Sequence, residues 1–177
     1  MPELITPNTA LHQAWLDCRD DWGRDVIQHG SGLRQDEDVD TLAGFTVFVD
    51  RMKRMSDESI PVAEGLVHAT YWWIADRGEI VGSISLRHRL NDFLLHAGGH
   101  IGYGVRPSAR KRGLASWALG EVLGHARARG LDRALVTCDD TNIASARTIE
   151  RNGGVLEDIR HTELGYTRRY WIDLTAA

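Results

Sequence analysis

The chain has 177 residues, 42% hydrophobic and 26% charged, and a formal net charge of −4. This suits one sizeable core; the apolar runs are too short to cross a bilayer, and MPELITPNTA has neither the basic start nor the apolar stretch of a secretory signal. Cys18 and Cys138 are too few for a disulfide scaffold and suggest a reducing, cytoplasmic setting, while no HExxH or Cys/His spacing suggests a metal.

Leu11, Trp15, Cys18 and Trp22 recur at i, i+4, i+7 and i+11 and predict a first helix. A second is expected after Asp36-Glu37-Asp38, with Leu42, Phe45, Phe48, Val49, Met52 and Met55 on its apolar side. ATYWWIAD and EIVGSISLRH flank Arg77-Gly78 and read as a hairpin, with Trp72 and Trp73 on opposite faces. LNDFLLHAGG reads as a loop or short helix, and HIGYGVR as a strand halted by Pro107. Ala115, Ala118, Leu119, Val122, Leu123 and Ala126 then keep helical spacing up to Gly130. RALVTCD reads as a buried strand, residues 141–152 as a helix, and VLEDIRHTE with YTRRYWIDL as a closing strand pair. The strand–helix–strand passage from 100 to 138 implies one parallel step in an otherwise antiparallel sheet.

Between Pro107 and the next helix lies a basic run, Arg110-Lys111-Arg112, followed by Gly113, Leu114 and Ala115. A helix start has unpaired N–H groups and a positive dipole end, and Gly113 lets a ligand approach the backbone. Cations at a helix start oppose the dipole, so the run has no stability motive of its own and favours a diphosphate. It is neither a GxxxxGK[ST] nor a complete GxGxxG loop.

Arg110 to Ala115 resembles the R/Q-x-x-G-x-G/A motif of the GNAT superfamily of acyl-CoA N-acyltransferases, and residues 98–156 resemble its cofactor-binding core. The resemblance implies an α/β (α+β) fold: a mixed, mostly antiparallel sheet of about six to seven strands, helices on both faces, and a parallel step at the cofactor site. It implies one domain over 1–177, with acceptor-side helices at about 8–58, an acetyl-CoA core at about 69–156 and a C-terminal strand pair at about 154–174. Backbone amides of Arg110, Lys111, Arg112, Gly113, Leu114 and Ala115 would hold the pyrophosphate of acetyl-CoA. The strand at Tyr103, Gly104 and Val105 would pair with the pantetheine arm, and Asn142 would touch it near the thiol.

Many members place a tyrosine seven residues after the asparagine as the acid; here that position is Ile149. Ser145 shares the helix face of Asn142 and Ile149, and NIAS resembles the N-x-x-S variant in relatives of the ribosomal-protein N-terminal acetyltransferases. Ser145 is expected either to donate to the leaving sulfur or to hydrogen-bond the backbone or pantetheine; Tyr103 and Tyr166 are alternative acids. His100 stands where many relatives carry a glutamate, and is read either as a base acting through water or as a satisfied strand-edge histidine. Cys138 is read as a small packing residue.

Residues 1–65 hold 13 acidic and 6 basic side chains, net −7, whereas residues 66–177 are net +3. An acidic half would attract a cationic amine, with Asp21, Asp25, Asp36, Glu37 and Glu163 as candidate contacts and Trp22 as a stacking wall. The chain resembles small stand-alone members that acetylate aminoglycosides such as kasugamycin. A protein N-terminal or lysine acetyltransferase and a non-catalytic acyl-CoA sensor remain open. The expected partner is a small-molecule amine, with neither nucleic acid nor membrane; a homodimer is left open.

Overall fold

Seven strands form one sheet in the order β1-β2-β3-β4-β5-β7-β6 in the computed structural model, which describes residues 1–175. They are β1 (Glu3–Ile5), β2 (Ala69–Asp76), β3 (Glu79–Arg87), β4 (Ile101–Val105), β5 (Arg133–Asp139), β6 (Gly154–Thr162) and β7 (Gly165–Asp173). The helices are α1 (His12–Trp22), α2 (Leu42–Ser56), α3 (Leu114–Ala128) and α4 (Ile143–Arg151). All strand pairs are antiparallel except β4 with β5, which α3 connects as a parallel crossover. The sheet and its single parallel step agree with the fold expected from the sequence.

Alternation along β2 divides the core into two layers. Trp73 turns toward α1 and α2, where it packs with Trp15, Phe45, Phe48 and Met52. Ile74 turns toward the α3 layer with Val81, Ile84, Leu119 and Val122. Trp72 shares that second face and stacks on His125 at 4.8 Å. The aromatic rings of the first layer meet at 5.3–6.0 Å between centroids, in tilted or stacked pairs. Burying each such side chain contributes about 1.5–3 kcal/mol, so the face packed by α1 and α2 is held by aromatic area.

Two local expectations change, and LNDFLLHAGG resolves into the short helix that was one of its two readings. The first strand, β1, was not anticipated; its three residues pair with Trp73–Ala75. The second helix starts at Leu42 and is capped by Thr41, whose side-chain oxygen accepts from Gly44 N. The acids Asp36 to Asp38 therefore precede the helix, and Asp38 accepts from the Thr41 backbone and hydroxyl. LNDFLLHAGG contains a π-helical turn, Leu94–Gly98. The Arg77-Gly78 hairpin is as expected, with both residues at positive φ (54° and 82°) as a tight primed turn requires.

The connection between α1 and α2, residues 23–41, lies against the sheet. A Cβ on Gly30 would stand 2.4 Å from the Gly102 carbonyl oxygen, so only glycine lets this loop rest on β4.

Candidate active site

β4 and β5 share one register pair, Ile101 with Val136. Just before it, His100 N donates to Leu135 O (2.7 Å) and Leu135 N donates to His100 Nδ1 (2.9 Å). Beyond it the strands diverge, while β4 stays paired with β3 on its other edge as far as Val105. The main-chain groups of β4 that face the gap can thus receive an extended ligand as an added strand. Counting forward from the register pair, Tyr103 on β4 and Cys138 on β5 occupy matching positions on the two arms.

Helix α4 starts at the same gap. Asn142 is its N-cap and its side chain accepts from Ser145 N at 3.1 Å. That bond fixes the first turn and presents Ser145, whose Oγ lies 2.8 Å from the Tyr103 hydroxyl. Burial raises the pKa of the Tyr103 phenol above its usual value, so it stays protonated. Burial likewise raises the Cys138 thiol to about 11, with a hydrogen bond to Ser145 working the other way. Ser145 is therefore flanked by neutral groups. Ile149, at the position where a tyrosine was expected by resemblance, is fully buried in the α3 layer.

At the far end of β4 the chain makes a short 3-10 turn, Pro107–Ala109, and runs extended through Arg110. Lys111 and Gly113 then take left-handed conformations, with φ of 62° and 76°. Alternating backbone handedness turns successive N–H groups toward one concavity. No side chain caps α3, and no acid lies in its first turn. A Cβ on Gly113 would meet nothing within 4 Å, so the approach is open. These features fit a diphosphate.

The three cations do not act alike. Arg112 is bonded to the buried carboxylate of Asp76. Arg110 donates from Nε to Val105 O (3.0 Å) and lies 5.1 Å over the Trp22 ring. Lys111 is exposed and forms no ion pair among the described residues, which leaves it for an incoming anion.

Other expected site residues fall elsewhere. His100 is 6% exposed, with Nδ1 occupied by Leu135 N. Burial first, and the charge of Arg87 second, lower its pKa to about 4. A base that weak, with that lone pair engaged, does not suit proton removal near neutrality; the geometry makes His100 a satisfied strand-edge histidine. Asp21 accepts from Ser108 N and its hydroxyl and faces Arg106 at 3.5 Å, bracing the loop before α3. Glu37 is held by Arg51 in a two-oxygen bridge. Asp25 and Asp36 are exposed on the α1–α2 connection, and Glu163 on the β6–β7 turn. Trp22 lies under Arg110 and against Gly104, beside the cofactor loop. Tyr166 is 63% exposed and packs edge-on against His161 rather than on Ser145. Among the described residues, no group of three or more His, Cys, Asp or Glu could hold a metal, and no helix is long and apolar enough to cross a membrane.

A cavity of about 270 Å³ opens on the α1–α2 side of the sheet, lined by Arg34, Arg51, Tyr71 and Arg87 together with apolar side chains. No motif marks it, because its arginines are dispersed along the chain.

Residues 14–155 match the family described as Acetyltransferase (GNAT) domain. The chain belongs to the GNAT acetyltransferase family. It is an acetyl-CoA-dependent acetyltransferase. Similar solved structures include a ribosomal-protein-S5-alanine acetyltransferase from Vibrio fischeri (16% identity, 98% of this chain and 92% of that one, TM-score 0.71). Another is RimL, a ribosomal L7/L12 alpha-N-protein acetyltransferase in complex with coenzyme A (20%, 99% and 96%, TM-score 0.69). A third is the microcin C7 self-immunity acetyltransferase MccE with acetyl-CoA and AMP (15%, 97% and 92%, TM-score 0.68). No curated protein sequence matches this GNAT chain significantly.

Proposed function

We propose that this enzyme transfers the acetyl group directly to a primary amine arriving from the α1–α2 face, with Ser145 as the acid. Acetyl-CoA supplies the thioester. The backbone amides from Arg110 to Ala115, with Lys111, hold its diphosphate, and the free edge of β4 at Tyr103–Val105 aligns the pantetheine. Asn142 fixes the start of α4. Ser145 Oγ–H donates to the departing sulfur while accepting a hydrogen bond from Tyr103, and the proton lost by the attacking nitrogen returns to the serine, so that a neutral amide and a thiol leave and the serine is restored. The observation that carries this reading is the 2.8 Å Tyr103–Ser145 pair at the divergence of β4 and β5.

Ile101, Tyr103 and Val105 belong to the α3-side layer, whereas Gly102 and Gly104 face the α1–α2 loop and Trp22. The acid therefore stands on one side of the gap, and the acceptor has the other. The amine reaches the carbonyl as its free base, since His100 is too weak a base for the task.

An aminoglycoside such as kasugamycin is the acceptor suggested by the acidic N-terminal half. It needs free carboxylates at the site; Asp21 and Glu37 are already engaged, and the exposed Asp25, Asp36 and Glu163 do not line the cavity. The cavity on the acceptor face is lined by arginines and by no acid. This favours a peptide N-terminus or another amine of lower positive charge, in keeping with the printed activities of two of the similar structures. Thiol release from acetyl-CoA should be measured against kasugamycin, other aminoglycosides, polyamines and short peptides. Release with peptides and little with aminoglycosides is expected; fastest turnover of kasugamycin would overturn this choice.

A further inference from the structure

The cavity on the α1–α2 face has an unbalanced charge. Arg87, the last residue of β3, donates from Nη1 to the carbonyls of Gly98 (3.1 Å) and Gly99 (3.2 Å). Its Nε and Nη2 have no hydrogen-bond partner among the described residues, and no carboxylate lies within ion-pair distance of it. Arg34, across the cavity, is exposed and its side chain likewise has no carboxylate. Arg51 differs, because Glu37 neutralises it. No Asp or Glu lines the space. Two guanidinium groups therefore share a small cavity without a counter-charge.

Desolvation opposes the charge on Arg87 and lowers its pKa from the ordinary arginine value. An unpaired charge in such a place is costly unless something compensates it. Two carbonyl contacts use part of the guanidinium's donor set and leave the rest toward the cavity. A planar fork of N–H donors suits carboxylate and phosphate oxygens above other ligands. Met55, Leu66 and Phe93 supply apolar lining beside the arginines. Gly32 holds the α1–α2 loop against the Tyr71 ring, where a Cβ would be 2.6 Å from the nearest ring atom; this keeps the loop that carries Arg34 at the rim.

The cavity also adjoins the site of chemistry. Arg87 Nη1 lies 3.7 Å from where a side chain on Gly102 would begin, and Gly102 opens the free edge of β4. We infer that the acceptor carries a compact anion, a carboxylate or a phosphate, bound between Arg34 and Arg87 while its amine enters the gap beside β4. This rests on the acceptor approaching from the α1–α2 face, and it names the chemical class that face selects.

Binding and turnover test it separately. With coenzyme A saturating, so that the diphosphate cradle is filled, the full chain is titrated with inorganic phosphate and, separately, with glutarate. At least one should bind, and Arg87→Gln and Arg34→Gln should each weaken it about tenfold or more. Arg34→Gln changes an exposed residue and keeps the test valid if Arg87→Gln fails to fold. No binding of either anion, or equal binding by Arg34→Gln and the unaltered chain, would overturn the inference. Thiol release is then compared for peptide amines bearing a carboxylate, a phosphomonoester or neither. A preference for one of the charged pair, lost as a rise in KM in Arg34→Gln, identifies the anion. Anion binding lost in the variants but no thiol release from any amine would support the subsite and remove the direct-transfer reading. A preference for the uncharged amine would overturn the subsite.

Discussion

Ser145 and Tyr103 are 42 positions apart, and a single contact makes them one unit. Ser145→Ala should lower kcat roughly 100-fold, the lower range for a lost general acid, with the KM for acetyl-CoA nearly unchanged. Tyr103→Phe should lower it less, and the double variant should lose less than the two effects combined, because both act on one proton. Steady-state kinetics of all three variants checks this; additive losses would separate the pair. His100 gives a different prediction. Its pKa is about 4 in the fold against 6.5 for the free side chain, so below pH 6.5 the unfolded chain binds a proton that the folded one refuses. Stability should therefore fall between pH 6.5 and 4, by up to roughly 3 kcal/mol from this group. His100→Asn, which keeps an acceptor for Leu135 N, should flatten that fall in denaturant melts at several pH values. It should also leave the neutral-pH rate profile unchanged.

At the scale of elements, the start of α3 shows how a loop makes a ligand site. The left-handed Lys111 and Gly113 turn the backbone, and the absence of a capping side chain leaves the helix N–H groups to the ligand. Lys111 is the cation of the run left unpaired by the fold. Lys111→Ala should raise the KM for acetyl-CoA about 3–10-fold at low salt with kcat unchanged, and the difference should shrink as salt is added. Initial-rate measurements at several ionic strengths decide it. The long helices were legible because Trp15, Phe45 and Val122 belong to runs of period 3.6. β1 was not, since three residues make no alternation and its pairing with β2 is decided by tertiary contact. The acids before α2 looked like a favourable first turn, but Asp38 instead ties the loop to Thr41, which caps the helix.

At the scale of the molecule, the donor half was readable and the acceptor half was not. The strand, basic loop and amphipathic helix are contiguous in sequence, so the loop around Gly113 could be read from its residues, and Asn142 and Ser145 from the resemblance of NIAS to the N-x-x-S variant. Arg34, Arg51 and Arg87 come from a loop, a helix and a strand end, and only folding assembles them. The acidic N-terminal half reads differently once folded. A linear charge count cannot register that Asp20 and Asp40 answer Arg19, that Glu37 answers Arg51, or that Asp21 braces Ser108. The parting of β4 from β5 has one more consequence. The sheet is a book of two leaves, β1–β4 and β5–β7, joined along their shared spine by one register pair, by the His100 N–Leu135 O bond and by the His100 ring. With the donor bound as proposed, an extended pantetheine in the gap would be a temporary eighth strand. On the proposed donor site, each catalytic cycle would, in discharging coenzyme A, remove a piece of the enzyme's own architecture until the next donor rebinds the volume.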